Sequence, residues 1–378
     1  MSEYQYYEFQ AIDRSLTKKE MGEIARLSSR VDLNPYRAVF VYNYGDFRAE
    51  PENVLSRYFD AMIYLANWGS KRLMFRFPES VVNIDEIRQY CFSRMISLKT
   101  GEGYAVLDLN YCEEEGCSWI EGEYWLPRFL PLRHDLMLQD YRLLYLAWLK
   151  AIMLEPPDEN EKKTYTHPPV PSGLRDLSQP LSDFVELFEL DPFLVQVAAE
   201  SSPDHKEITK ETLQNAVSKL PAAECRDFLL RLASGEPNLS HSLNLRLNEF
   251  IKLELDSPSK KREPLPVLTL LENAERAKEQ ENERQRALEE AKRIERLEAL
   301  AGQVSHLWKK VDSLIARKQI KAYDEAVEIL VELKEVAEYQ GTQNAFQERI
   351  NRLHETHSRL PGLIWRMDSN GLKVVDME

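Results

Sequence analysis

The sequence predicts an α+β multi-domain fold: an N-terminal α/β sandwich with a mixed sheet, then mainly α-helical sequence with a long charged helix and a C-terminal helical hairpin. Three observations lead to this prediction. Strand-like and helix-like patterns alternate through the first part of the chain, as they do in α/β folds. Two polar, proline-containing segments then separate the remaining parts. Helical periodicity with dense charge of both signs continues for tens of residues after Leu268.

The first elements form a predicted β-α-β unit. Residues 4–12 are rich in aromatic side chains and alternate along the chain, which is typical of a strand. Thr17 and Glu20 have the spacing of a capping box, which predicts the start of a helix. Residues 37–44 predict a second strand.

The next predicted elements complete the N-terminal domain. Pro51 opens a stretch with a wide apolar face, which predicts a single helix that ends at Gly69. A strand, a short helix and the two strands of a hairpin follow, at 72–77, 85–90, 96–99 and 104–109. Residues 132–154 are so apolar that they predict one buried helix packed on the sheet.

Composition shifts predict the boundaries between domains. The segment 156–180 carries six prolines and many polar residues, which is typical of a linker. Within the long charged helix, Glu279–Arg286 has no apolar residue, so that this part must be exposed and stabilised by ion pairs along the helix. The predicted parts are an α/β domain at 1–155, a linker at 156–180, a small helical domain at 181–252, a linker at 253–266, the long charged helix at 267–302 and a C-terminal helical hairpin domain at 303–378.

Charge and cysteine content exclude several classes of protein. The net charge is −14, which argues against a protein that neutralises the phosphates of a nucleic-acid duplex. Four cysteines in 378 residues are too few for a disulfide framework and fit a reducing compartment. The N-terminus has no basic region followed by an apolar run, and the most apolar stretch, 143–154, is too short to span a bilayer. We therefore expect a cytoplasmic protein that does not enter a membrane.

No catalytic or cofactor motif is recognisable in the sequence. Cys112 and Cys117 are closely spaced and could bind zinc together with Cys91 or His134, but no second pair of ligands accompanies them. An acidic surface loop is the simpler interpretation of this segment. We therefore expect no metal site and no cofactor, and the sequence favours a non-enzymatic protein over an enzyme.

Aromatic side chains are the most distinctive candidates for a binding surface. Tyrosines lie at alternate positions of the first two predicted strands, near several arginines. An aromatic sheet face of this kind can stack unpaired bases, whereas the alternative is a core face with tyrosines at its margin. The candidate residues for a partner surface are Tyr6, Tyr42, Tyr44, Trp68, Trp308 and Tyr323.

The chain resembles a family of uncharacterised bacterial proteins. The residues that carry the resemblance begin with Tyr4–Thr17, which reads YxYYEFxAIDRxLT, and continue at 44–47, 58–61, 66–69, 144–148, 323–327 and 352–372. The C-terminal helices are similar to those of some SWIM-type zinc-finger proteins. This resemblance implies a SWIM-type zinc-finger protein as a partner, and it implies no catalytic residue.

The favoured hypothesis from the sequence is a non-catalytic protein-protein interaction or scaffold protein of a bacterial multi-protein system. In this hypothesis the α/β domain binds one partner and the C-terminal helices bind another, with the charged helix between them. One alternative is a single-stranded nucleic-acid-binding protein that uses the N-terminal aromatic sheet. The other alternative is an enzyme with an unrecognised site in the N-terminal domain.

Overall fold

The computed structural model describes residues 4–112, 122–156, 168–203, 209–236, 239–255 and 266–375. The chain divides into two compact units, Met1–Lys278 and Glu279–Glu378. The first unit contains a β-sheet with helices on both faces, and the second unit consists of helices. The predicted α+β fold with a mainly helical C-terminal part is thus confirmed.

The first unit is organised around a seven-stranded sheet in the order β2-β3-β1-β4-β5-β7-β6. The strands are β1 Gln5–Gln10, β2 Asp32–Asn34, β3 Arg37–Tyr42, β4 Ala61–Ala66, β5 Ser70–Pro78, β6 Ile96–Gly101 and β7 Tyr104–Cys112. All neighbouring strands pair antiparallel. The mixed sheet predicted from the sequence is therefore corrected to an antiparallel one.

The wrong prediction of a mixed sheet arises from one segment, the predicted helix from Pro51 to Gly69. Helix α2 covers only Pro51–Tyr58, and the chain then forms strand β4. Both faces of this central strand are buried, so its side chains form a continuous apolar run. Such a run cannot be distinguished from a buried helix by periodicity alone. A tight turn then leads into β5, which makes the pairing antiparallel.

Two other local predictions are confirmed in detail. Thr17 and Glu20 form a reciprocal capping box at the start of helix α1, Lys18–Ala25. Strands β6 and β7 form the predicted hairpin, with Glu102 and Gly103 both at positive φ in its turn. This backbone twist matches that of the flanking strands. The short helix α3 is Ile84–Arg88.

The apolar stretch after the sheet forms two helices rather than the single one predicted over 132–154. Helix α4 is Trp125–Met137 and helix α5 is Arg142–Leu154. The break contains Gln139 at a φ of 65°. Asp140 accepts a hydrogen bond from the backbone nitrogen of Arg142 at 3.1 Å, which satisfies a donor at the start of α5.

Helices α6 Gln179–Leu187 and α7 Pro192–Glu200 pack into the same apolar cluster as the sheet, α4 and α5. The next helices are α8 Lys210–Lys219, α9 Ala222–Ala233 and α10 Leu239–Leu255. They have a separate small cluster of buried residues, Ala216, Leu247 and Ile251. The region that the sequence grouped as one helical domain therefore contributes to two different cores.

The second unit contains the end of helix α11, Val267–Ala301, and four further helices. These are α12 Val304–Ala316, α13 Ile320–Gln340, α14 Gln343–Thr356 and α15 Pro361–Ser369. The predicted helical hairpin is confirmed, since α12 and α13 pack together and Gly341 ends α13 at positive φ. Within the described parts of the chain, no helix combines the length and apolar content needed to cross a membrane.

Candidate functional site

The register of the sheet places Tyr6 and Tyr42 on opposite faces. In the pairing of β1 with β3, Tyr6 lies opposite Val41 and Gln5 lies opposite Tyr42. Residues that face each other across antiparallel strands share a face, and successive residues alternate between faces. The single aromatic face predicted for stacking bases is therefore not formed by these two tyrosines.

Tyr6 is buried, which corrects its prediction as a surface residue. Its exposed fraction is 0 %, and its hydroxyl donates to Oε2 of Glu8 at 2.7 Å. Nε of Arg37 donates to Oε1 of the same carboxylate at 2.5 Å. Burial, followed by the bond to the Glu8 carboxylate, raises the pKa of the Tyr6 hydroxyl well above its ordinary value. The alternation of β1 predicted a strand but did not assign Tyr6 to the core face.

Tyr42 lies on the other face, in a cluster of aromatic rings. Its ring meets Tyr7 edge-on at 6.3 Å between centroids, and it meets Phe47 in the same way at 6.4 Å. Tyr7 in turn stacks on Tyr64 at 4.4 Å and donates its hydroxyl to Oε1 of Gln5 at 2.9 Å. Tyr42 is half-buried, so this cluster serves packing more than it offers an open surface.

Trp308 and Tyr323 are also buried, in the core of the second unit, so their prediction as surface residues is wrong. Trp308 packs on Phe346, with 5.8 Å between the ring centroids. The guanidinium carbon of Arg349 lies 4.1 Å from the centroid of the Trp308 ring. The physical reason lies in the pattern of α12, because Trp308 belongs to an apolar stripe with Val311 at the spacing of a core-facing helix.

Tyr44 and Trp68 are the two predicted residues that remain exposed, with exposed fractions of 79 % and 39 %. Sequence reasoning missed a third, Tyr124, whose exposed fraction is 73 %. The three aromatic side chains come from three separate connections of the chain. We call Tyr44, Trp68 and Tyr124 the aromatic rim.

Hydrogen bonds tie the three connections of the aromatic rim to the start of β1. Beside Trp68, the backbone nitrogen of Asn67 donates to the carbonyl of Tyr4 at 3.1 Å, and Oδ1 of Asn67 accepts from the Tyr4 nitrogen at 3.0 Å. Beside Tyr44, Nε2 of Gln5 donates to the carbonyl of Gly45 at 3.1 Å.

The third connection is bound in the same way. Two residues before Tyr124, the nitrogen of Gly122 donates to the Tyr4 hydroxyl at 3.3 Å. The aromatic rim is therefore gathered at one end of the sheet, around Tyr4 and Gln5.

Tyr124 has an unusual backbone conformation for a large side chain. Its φ is 76° and its ψ is −3°, in the left-handed region, immediately before α4. A residue other than glycine at this φ is uncommon, and such strain is concentrated at functional positions. No local sequence signal identified Tyr124, because its exposure depends on where the chain returns to the sheet after β7.

The charged side chains beside the aromatic rim do not form a cationic surface. Asp46 and Arg48 follow Tyr44, and Glu123 precedes Tyr124, all three of them exposed. Two carboxylates and one guanidinium give this end of the sheet a mixed charge. A surface that tracks a phosphate backbone requires an excess of Lys and Arg.

Ionisable groups at the other end of the sheet, all of them buried apart from Asp13, form two ion pairs. Oδ1 of Asp60 accepts from Nη2 of Arg76 at 2.6 Å, and its Oδ2 accepts from the backbone nitrogens of Ile12 and Asp13 at 2.7 and 3.0 Å. The side chain of Asp13 is held by Arg133 through two hydrogen bonds of 3.0 and 2.8 Å. These bonds fix the chain after β1 against β5 and α4.

The cysteine pair considered for zinc is only partly described. Cys112 is exposed and accepts a hydrogen bond from Oγ of Ser70 at 3.4 Å, and Cys117 lies outside the described residues. Where side chains are described, no group of three or more His, Cys, Asp or Glu residues is arranged to hold a metal ion.

The fold and the site define this chain as an α+β protein with an antiparallel seven-stranded sheet, an exposed aromatic rim and a separate helical unit. Comparison with protein-family models, with curated proteins and with solved structures found no match.

Proposed function

We propose that this chain is a non-catalytic interaction or scaffold protein of a cytoplasmic bacterial multi-protein system, and that the aromatic rim binds a protein partner. The observation that supports this proposal is the gathering of Tyr44, Trp68 and Tyr124 at one end of the sheet, each of them exposed. Large aromatic side chains are costly to leave in water and are rarely grouped on a surface without a partner.

Tyrosine and tryptophan suit this role for physical reasons. They supply a large contact area with few rotatable bonds, and they dominate the residues whose truncation weakens protein interfaces most. The rim is attached to a rigid sheet by backbone hydrogen bonds at Tyr4 and Asn67. A rigid mounting lowers the entropy that is lost on binding.

The second unit supplies a second surface in this proposal. Its helices carry two large apolar side chains that are mainly exposed, Ile320 and Trp365. A core of its own, centred on α12 and α13, supports the proposal that it can present these residues independently of the sheet. We propose a SWIM-type zinc-finger protein as a partner, following the resemblance of the C-terminal helices.

Affinity purification from the native host tests the proposal. The tagged full-length chain is compared with Tyr44→Ala, Trp68→Ala and Tyr124→Ala variants, and bound proteins are identified by mass spectrometry. Tyr36→Ala is the matched control, because Tyr36 is also an exposed tyrosine, at 54 %, but its carbonyl accepts from Ala11 at the opposite end of β1.

We expect one protein that co-purifies with the wild type and with Tyr36→Ala and that is lost with the three rim variants. Co-expression with a SWIM-type zinc-finger protein from the same genome then tests the identity of the partner. The proposal fails if no protein is retained, or if the rim variants retain the same proteins as the wild type.

The same variants separate protein binding from binding of single-stranded nucleic acid. Exposed aromatic rings can also stack unpaired bases, so labelled oligonucleotides are titrated at low salt. We expect no shift with the wild-type chain, given the mixed charge around Asp46, Arg48 and Glu123. A shift that Trp68→Ala abolishes would favour the nucleic-acid alternative over a protein partner.

A further inference from the structure

A histidine pair connects helix α10 to helix α4. Nε2 of His241 on α10 and Nδ1 of His134 on α4 are 3.1 Å apart, with the rings perpendicular and their centroids 5.0 Å apart. Such a bond requires one nitrogen that carries a hydrogen and one that has a free lone pair. His134 is exposed and His241 is half-buried.

Among the side chains that the structure describes, two further bonds join α10 to the sheet-bearing part of the first unit, and both are uncharged. Oγ of Ser242 donates to the carbonyl of Ser80 at 3.4 Å, and Nδ2 of Asn248 donates to Oε1 of Gln139 at 3.3 Å. Two buried apolar residues of α10, Leu247 and Ile251, belong to the small cluster shared with α8, and Leu239 at its start is buried outside that cluster. Among the described side chains, the histidine pair is therefore one of three polar contacts that attach α10 to the sheet-bearing part of the unit.

One arrangement of the hydrogens leaves no buried N–H of this pair without an acceptor. Nδ1 of His241 is buried and has no hydrogen-bond partner among the residues that the structure describes. In this arrangement the nitrogen carries no hydrogen, Nε2 of His241 donates and Nδ1 of His134 accepts. A proton added to either ring places an N–H at the buried nitrogen or removes the acceptor.

Three charged side chains surround the histidine pair, namely Arg133, Asp13 and Asp135. Arg133, next to His134 on α4, disfavours a further positive charge on His241, and Asp13 in the chain after β1 partly opposes it. Asp135 follows His134 on α4 and interacts with it electrostatically. Burial is the largest effect and lowers the pKa of His241, with His134 and then Arg133 adding to it.

We propose that the hydrogen bond between His134 and His241 is an acid-sensitive contact, which holds helices α8–α10 against α4 only while both imidazoles are neutral. Above the ordinary titration range of histidine the contact is made and α10 is docked. As the pH falls through that range, the detached state binds more protons than the docked state. Docking is therefore progressively weakened.

Hydrogen–deuterium exchange of the full chain at about pH 7.5 and about pH 5 tests the proposal. Exchange is corrected for the intrinsic rate at each pH and is followed in peptides from α10, with peptides from α5 as the internal reference. The variant is His241→Gln, whose amide can donate to neutral His134 or accept from protonated His134. The control is His306→Gln, which replaces an exposed histidine of the second unit.

We expect exchange in α10 to rise several-fold at the lower pH in the wild type and in His306→Gln, with α5 unchanged. In His241→Gln we expect the same exchange in α10 at both pH values. Exchange that is already fast at both pH values in this variant also supports the contact, because docking then requires the imidazole. The proposal is overturned if wild-type α10 shows equal protection at both pH values, or if His241→Gln loses protection at low pH as the wild type does.

Discussion

Gly122 lies directly against the ring of Tyr6. A Cβ atom built on Gly122 would come within 2.1 Å of Cγ of Tyr6, a distance that no real contact tolerates. The same glycine donates its backbone N–H to the hydroxyl of Tyr4. Two residues before Tyr124, the chain thus packs directly on the first strand. This contact positions Tyr124, one of the three residues of the aromatic rim.

We predict that Gly122→Ala destabilises the first unit. The added methyl group must displace the buried ring of Tyr6, because the backbone N–H of Gly122 is itself hydrogen-bonded to the hydroxyl of Tyr4. Overpacking of this kind costs about 1–3 kcal/mol in the free energy of unfolding. Urea denaturation followed by circular dichroism measures the change, with Gly22→Ala as control, since a Cβ at Gly22 meets no atom within 4 Å. Equal destabilisation by both variants would contradict the contact.

We predict a larger loss of stability for Asp60→Ala. This change leaves the buried guanidinium of Arg76 without its carboxylate and removes the acceptor for two backbone N–H groups. Removing one partner of a buried ion pair costs about 3–5 kcal/mol. The matched control is Lys99→Gln, which breaks an exposed ion pair with Glu52 and is expected to change little. The same denaturation measurement distinguishes the two, and a loss below about 1 kcal/mol for Asp60→Ala would count against a structural role.

We predict that the start of helix α1 is stable in moderate acid. Two hydrogen bonds from Arg14, followed by the backbone N–H of Thr17, lower the pKa of Glu20 from an ordinary value of 4.5 to about 2. Because the folded-state pKa is the lower one, the stabilisation is complete above about pH 4.5 and is lost as the pH falls toward about 2. NMR titration of the Glu20 carboxyl group measures this pKa. Arg14→Gln should raise it, and an unchanged value would contradict the assignment.

We predict that Trp308→Ala unfolds or strongly destabilises the second unit. The side chain is buried against Phe346, and its removal leaves a large cavity between α12 and α14. Replacing a buried tryptophan with alanine costs about 3–5 kcal/mol. Trp365→Ala is the control in the same unit, since Trp365 is largely exposed. Thermal unfolding should show a lower midpoint for Trp308→Ala alone.

Local signals in the sequence predicted those elements that depend on neighbouring residues. The capping box of Thr17 and Glu20 and the turn of the β6–β7 hairpin at Glu102 and Gly103 follow from backbone geometry within a few residues. Strand β4 was missed because its apolar run fits a buried helix as well as a central strand. The choice between them depends on pairing with β5, which follows after a tight turn, and with β1, which is distant in sequence.

The candidate site depended still more on distant contacts. Alternation along β1 could not tell which tyrosines face the core, so Tyr6 and Tyr42 were grouped although the register separates them. Tyr44 and Trp68 were identified as candidates for a partner surface. In the structure both are exposed, in connections that are hydrogen-bonded to Tyr4 and Gln5 at the start of β1. Tyr124 carries no local signal, since its position depends on the return of the chain to Tyr4.

The affinity of the co-purified partner for the full chain tests the central claim most directly. Isothermal titration calorimetry is carried out with the wild type, Trp68→Ala and Tyr36→Ala. If the aromatic rim is the binding surface, Trp68→Ala should raise Kd about tenfold or more, as expected for an interface hot spot, whereas Tyr36→Ala should leave Kd unchanged. The same Kd for Trp68→Ala and the wild type, or an equal loss with Tyr36→Ala, would contradict the proposal that the aromatic rim binds the partner.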